Sequence, residues 1–176
     1  MKIRVIICLF LGFIVVGSQA MSIEMPKMSG LQITSPVFEK NGLIPEKYTC
    51  DGMDINPQIL ITNVPTNTKS MALIVDDPDA PAGTWVHWVV WNIDPHSYDI
   101  KENSIPEGSS QGLNDFHKHN YGGPCPPSGT HRYFFKLYAL DTKLTLNYNS
   151  TKVRVEKAMQ GHIIAESRIV GLYKRK

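Results

Sequence analysis

"DDPDAPAGTWVHWVVWNI", residues 76–93, holds the end of one strand, a stop and a second strand. Proline fixes φ and carries no backbone N–H, so Asp77-Pro78-Asp79-Ala80-Pro81 cannot extend a sheet and the chain must turn there. After Gly83 the run turns aromatic and β-branched, a composition suited to a pleated, buried surface. Working outward, residues 59–62, 71–75, 86–93 and 133–140 all read as strands. Polar loops separate them. The longest, residues 95–121, exceeds what a compact domain usually tolerates without a functional reason. One helix is predicted, capped by Ser150-Thr151, with an apolar face of Val155, Ala158, Met159 and His162. Gly161 and Gly171 argue against continuing it, so residues 163–173 read as a last strand. The sum predicts a mainly β domain with one or two helices packed on it.

Residues 1–20 read as a secretory signal. Lys2 and Arg4 precede an apolar run over residues 5–16, and Gly17-Ser18-Gln19-Ala20 offers small residues at the exit. The run is too short for a comfortable membrane span, and Cys8 lies inside it rather than at a lipidation site. The expectation is a single domain over residues 21–176, periplasmic or secreted, without a stable membrane anchor. Removing residues 1–20 takes two of 18 basic residues and none of 16 acidic ones, leaving 16 against 16. A neutral chain without a long basic run gives no footprint for nucleic acid. Cys50 and Cys125 remain in a compartment that permits disulfides. A bridge between them and two free thiols both stand open on the sequence.

Asp77 and Asp79, taken alone, are turn residues that accept bonds from nearby backbone N–H groups. His87, taken alone, is a satisfied core histidine. By alternation it shares a face with Trp85 and Val89 and points away from Val86 and Trp88. "GTHRYFFKLYAL", residues 129–140, repeats the design, with His131 and Tyr133 on one face. Two histidines at the starts of strands, each beside a Pro/Gly-rich loop, can converge. The aspartates would then orient the imidazoles, and the imidazoles would donate to an anion. Three other sets compete. Ser128 with His131 and an aspartate lacks a G-x-S-x-G elbow. His117 with His119 is a weak metal pair. His87, His131 and Asp77 could form a facial metal triad.

With "YGGPCPPSGTHRYFFKLYAL" (121–140) added, the opening stretch resembles the paired signatures of the phosphatidylethanolamine-binding protein family, in its bacterial branch of Raf-kinase-inhibitor-like proteins. "YTCDG" (48–52), "NDF" (114–116) and "AMQGHIIAE" (158–166) match as well. The resemblance implies a large antiparallel central sheet packed with a smaller sheet and a few flanking helices. It also implies a pocket at the sheet's end that takes a small anion or phosphorylated head group. Its residues would be Asp77, Asp79, His87, His131 and Tyr133, with a glycine-proline wall drawn from Gly123, Pro124 and Pro126. No metal or cofactor is implied. The family suggests a binding protein and modulator of a protein partner such as a protease, rather than an enzyme; a homodimer stays open. The alternatives are a serine-protease inhibitor-type module and a hydrolase using the His/Asp pocket. The chain departs from eukaryotic relatives in reading Gly-Pro-Cys-Pro-Pro at the wall, and in having a short insert, residues 82–86, before the histidine.

Overall fold

The computed structural model describes residues 30–175, so the signal-peptide reading and the start of the domain at Met21 lie outside the described residues. In chain order the elements are β1 (Gln32–Thr34), a 3-10 turn (Glu46–Tyr48), β2 (Ile59–Thr62), β3 (Ser70–Asp77), β4 (Trp85–Ile93), β5 (Asp99–Ile100), β6 (Ser110–Gln111), β7 (His131–Leu140), α1 (Lys152–Met159) and β8 (Ile163–Tyr173). Two antiparallel sheets result, one of order β6-β4-β3-β7-β8 and one of order β1-β2-β5.

β3 is buried along its whole length because both of its faces are covered. Met71, Leu73 and Val75 face the smaller sheet and join Ile33, Ile59, Ile61, Phe135 and Leu137 in the larger core cluster. Ala72 and Ile74 face the other way, into a second cluster with Val89, Trp91 and the α1 residues Val155 and Met159. Each such side chain contributes roughly 1.5–3 kcal/mol on burial. The period of two in β3 therefore specifies a three-layer stack of small sheet, large sheet and helix. Asn41–Ile44 closes one end of the outer edge of β8, with Asn41 N–H donating to Val170 O and Ile44 N–H to Leu172 O. The absence of a side chain at Gly171 permits that approach, since a Cβ there would stand 2.5 Å from Ile44 Cγ1.

β4 is not a regular strand. Val75 pairs with Trp88 and Asp76 with Val86, so His87 is an extra residue bulged out of the ladder. The bulge overturns strict alternation. Val86 and Val89 both face α1, whereas Trp88 and Val90 face the smaller sheet. His87 stands edge-on to Tyr133 on that same side, with ring centroids 5.2 Å apart. It therefore shares a side with Trp88 and not with Val89.

Other sequence expectations are adjusted too. The loop over residues 95–121 is interrupted by the two-residue strands β5 and β6. His162 does not belong to the helical face: α1 ends at Met159, and the His162 side chain is half exposed and 2.8 Å from the Asp141 carboxylate. Residues 163–173 do form the last strand. Cys50 and Cys125 form a disulfide, with Cα atoms 5.4 Å apart.

Candidate functional site

The bulge at His87 frees a carbonyl that the following loop uses. His87 O accepts from Gly122 N–H at 3.0 Å and from Asn114 Nδ2 at 3.1 Å. Buried Asn114 also donates to Asn120 O, and its Oδ1 accepts from Phe116 N–H and Lys118 N–H. This one amide folds residues 114–120 into a compact turn. Phe116 is thereby set edge-on to both Trp85 and His87, at centroid distances of 5.4 and 5.3 Å. Gly122 makes room for it, since a Cβ there would meet the Phe116 ring at 2.6 Å.

These contacts frame a cavity of about 260 Å³ lined by Asp77, Ala80, Pro81, Trp85, His87, Phe116, Cys125, Pro127, His131 and Tyr133. The turn after β3, the start of β4, the Phe116 loop, the disulfide segment and the start of β7 all meet here. Four of the sequence-predicted site residues line it: Asp77, His87, His131 and Tyr133.

Asp77 is spoken for on both oxygens. Oδ2 lies 2.7 Å from His131 Nδ1, and Oδ1 accepts from the Asp79 N–H at 2.8 Å. A carboxylate accepts only, so His131 carries its proton on Nδ1 toward Asp77 and leaves Nε2 without a protein hydrogen bond among the described residues. His87 Nδ1 lies 2.6 Å from Gly122 O, and a carbonyl oxygen also only accepts, so Nδ1 is the donor. Burial pushes the His87 imidazole below its ordinary pKa, outweighing the Gly122 carbonyl and the Asp77 charge, which act in the opposite direction. Its Nε2 therefore carries a lone pair. The sequence reading expects a donor at His87, whereas this tautomer presents an acceptor.

Burial, with the Asp77 charge second, raises the Tyr133 phenol far above its usual pKa, so it stays protonated. The Tyr133 hydroxyl and the Trp85 Nε1 are both buried without a hydrogen-bond partner among the described residues.

The remaining expected residues do not line the cavity. Asp79 faces Arg132: its Oδ1 and Oδ2 accept from the Arg132 guanidinium at 2.6 and 2.9 Å, and Oδ2 also accepts from the Arg132 N–H. That pairing holds the Asp79 carboxyl down at about 2. Asp79 is thus a brace. Its N–H fixes Asp77 and its carboxylate fixes the start of β7. Gly123 lies buried behind the wall, donating to Asp54 Oδ1 at 2.6 Å, where a Cβ would collide with Tyr48 O. Pro124 O accepts from Cys50 N–H. Pro126 is buried, and the wall is formed instead by Cys125 and Pro127. Trp85, Phe116, Ala80, Pro81, Cys125 and Pro127 were not anticipated as lining. All six nonetheless fall inside the stretches that carry the family resemblance, residues 76–93, 114–116 and 121–140.

The alternative chemistries find less support. Among the described residues no group of three or more His, Cys, Asp or Glu side chains could hold a metal ion. The lining includes no serine or threonine, and its one cysteine is bridged.

A family model described as phosphatidylethanolamine-binding protein matches residues 34–174. A UPF0098 protein of Methanothermobacter thermautotrophicus is 49% identical over 150 residues, covering 82% of this chain and 99% of its own. A UPF0098 protein of Pyrococcus horikoshii is 44% identical over 97% of this chain and 86% of its own. Among solved structures, a putative phosphatidylethanolamine-binding protein homolog of Chlamydia trachomatis superposes with a TM-score of 0.81 at 39% identity, covering 84% of this chain and 99% of that one. YbcL of E. coli, described as a member of the mammalian family, superposes at 0.79 with 32% identity over 84% of this chain and 100% of that one.

Proposed function

The chain belongs to the phosphatidylethanolamine-binding protein family, and from that premise we propose that its cavity binds a small anion or phosphorylated head group. The observation that carries the reading is the convergence of His131, oriented by Asp77, with His87 and the unpartnered Tyr133 hydroxyl in one small cavity. At about 260 Å³ the space suits a head group and not acyl chains, being below the usual range for drug-sized ligands. Apolar walls of Ala80, Pro81, Trp85, Phe116 and Pro127 keep the dielectric low, where a charge-assisted bond is strong.

Export belongs to the same reading. It rests on residues 1–20 and is supported by the Cys50–Cys125 bridge, which an oxidising compartment sustains. N-terminal sequencing of the exported protein should begin near Met21. Occupancy of the cavity would serve to modulate a protein partner, and stoichiometric loss of a protease's activity is the observation that would favour an inhibitor.

The binding claim is tested by calorimetric titration of phosphate and of phosphorylethanolamine into wild type and His131→Ala. Loss of a hydrogen bond to a charged ligand should weaken binding by about 1.5–3 kcal/mol, roughly tenfold or more. Unchanged affinity in a folded variant would place the ligand elsewhere.

A further inference from the structure

We propose that His87 makes the cavity selective for anions that bring their own proton donor, such as a phosphate hydroxyl or an ammonium beside the phosphate. This inference rests on the binding reading above and deepens it. Its warrant is geometric. The 2.6 Å contact between His87 Nδ1 and Gly122 O commits the Nδ1 proton to a backbone carbonyl. Gly122 O cannot turn away, because the Gly123 N–H of the same peptide plane is bonded to Asp54 Oδ1 at 2.6 Å, and the Gly122 N–H to His87 O at 3.0 Å. The two residues hold each other in register, and the tautomer follows.

His87 lines the cavity with Nε2 as its remaining polar atom, and in the neutral ring that atom accepts. Burial favours the neutral ring. No lysine or arginine lines the cavity to offset a lone pair facing an anion. An oxyanion without a proton would set oxygen lone pairs against the nitrogen lone pair, leaving a buried acceptor unsatisfied. An oxyanion carrying a hydroxyl turns the same contact into a hydrogen bond. The Tyr133 hydroxyl and Trp85 Nε1, both unpartnered donors among the lining residues, supply the opposite polarity for the ligand's oxygens. An acceptor nitrogen set among donors is a pattern that reads protonation state as well as charge.

The test is a calorimetric series at pH 7 with inorganic phosphate, sulfate, dimethyl phosphate and methyl phosphorylethanolamine. Phosphate carries a hydroxyl, sulfate and the dimethyl diester carry no O–H or N–H donor, and methyl phosphorylethanolamine donates only through its ammonium. Phosphate should bind at least about tenfold more tightly than sulfate, the scale of one charge-assisted hydrogen bond. Tight binding of methyl phosphorylethanolamine with weak binding of dimethyl phosphate would assign donation to the ammonium of a lipid-type head group. Tight phosphate with a weak diester of either kind would assign it to a free phosphate or monoester. Both results support the inference. Equal affinity for phosphate and sulfate would overturn it while leaving anion binding intact. Binding of none of the four would overturn both. Nitrogen-15 NMR of the free protein gives an independent check, since a proton on His87 Nε2 with Nδ1 bare refutes the tautomer directly. In His87→Gln, whose amide can present either a donor or an acceptor, the preference for phosphate over sulfate should collapse.

Discussion

Replacing Cys50 and Cys125 together by serine should destabilise the protein without changing its fold. The bridge spans 75 residues of sequence. In the chain-entropy model, opening a loop of that length returns about 15 cal/mol/K to the denatured chain, or about 4.5 kcal/mol at 25 °C. For a domain of this size each kcal/mol shifts Tm by roughly 2–4 °C, so the expected fall is about 9–18 °C. Urea unfolding followed by fluorescence of the three tryptophans would measure it. The mechanism makes a second demand. If the bridge acts on the denatured ensemble, its removal lets that ensemble expand, and the m-value should rise along with the fall in midpoint. A loss under about 1 kcal/mol, or a full loss with an unchanged m-value, would refute the reasoning. Ligand titration on the same variant reports on the wall, because Cys125 lines the cavity. The sequence offered no reason for the cysteines to affect binding. The structure does, and weaker binding by the serine variant is the expected result.

Asp76 is fully buried, and its Oδ2 accepts from Lys136 Nζ at 2.8 Å and Lys152 Nζ at 2.6 Å, tying α1 to the sheet. Asp76→Asn should cost about 3 kcal/mol, the low end for breaking a buried pair, because both lysines keep partial exposure and can re-solvate. Chemical denaturation showing under about 1 kcal/mol would contradict this, and phosphate affinity should not change. A second expectation concerns pH. The folded His87 pKa lies below its unfolded value, so the unfolded chain takes up the proton first as pH falls. The neutral ring's contribution is fully present above about pH 6.5 and is lost as pH falls from there to the folded pKa. Urea midpoints measured from about pH 7.5 to 5 should therefore fall less steeply in His87→Gln than in wild type; parallel slopes would sink the assignment.

Much of the fold was legible because β-branched and aromatic runs bounded by proline and glycine report pleated, buried surface directly. Residues 59–62 were read to the residue, and the last strand was read correctly because Gly161 and Gly171 argued against a longer helix. What escaped was whatever depends on a partner far away in sequence. Alternation assumes an unbroken ladder, and the extra residue at His87 is visible only once β3 is paired. Asp79 looked like a ligand because its counter-charge, Arg132, lies 53 residues on. Phe116 reaches the cavity only through the bonds Asn114 makes to the backbone. Cys50 and Cys125 could be counted from the sequence, but the approach of their Cα atoms is a tertiary fact. Asp77, His87, His131 and Tyr133 do line the cavity, and each sits at or beside a strand end that the sequence marks clearly.

Two neighbouring carboxylates on β3 meet opposite fates: Asp76 goes to a pair of lysines beneath α1, and Asp77 to His131 at the cavity. Together they act as an alignment key. If β3 slid by one residue against β7, each carboxylate would be delivered to the other face. Slid one way, Asp76 would confront the apolar inter-sheet core and Asp77 would leave His131 for the lysines; slid the other way, both lysines would face Val75. Apolar packing alone would resist such a slip weakly, since Ala72, Leu73, Ile74 and Val75 are all buried and all hydrocarbon. In a strand greasy on both faces, the adjacent charges tell the chain which way is up.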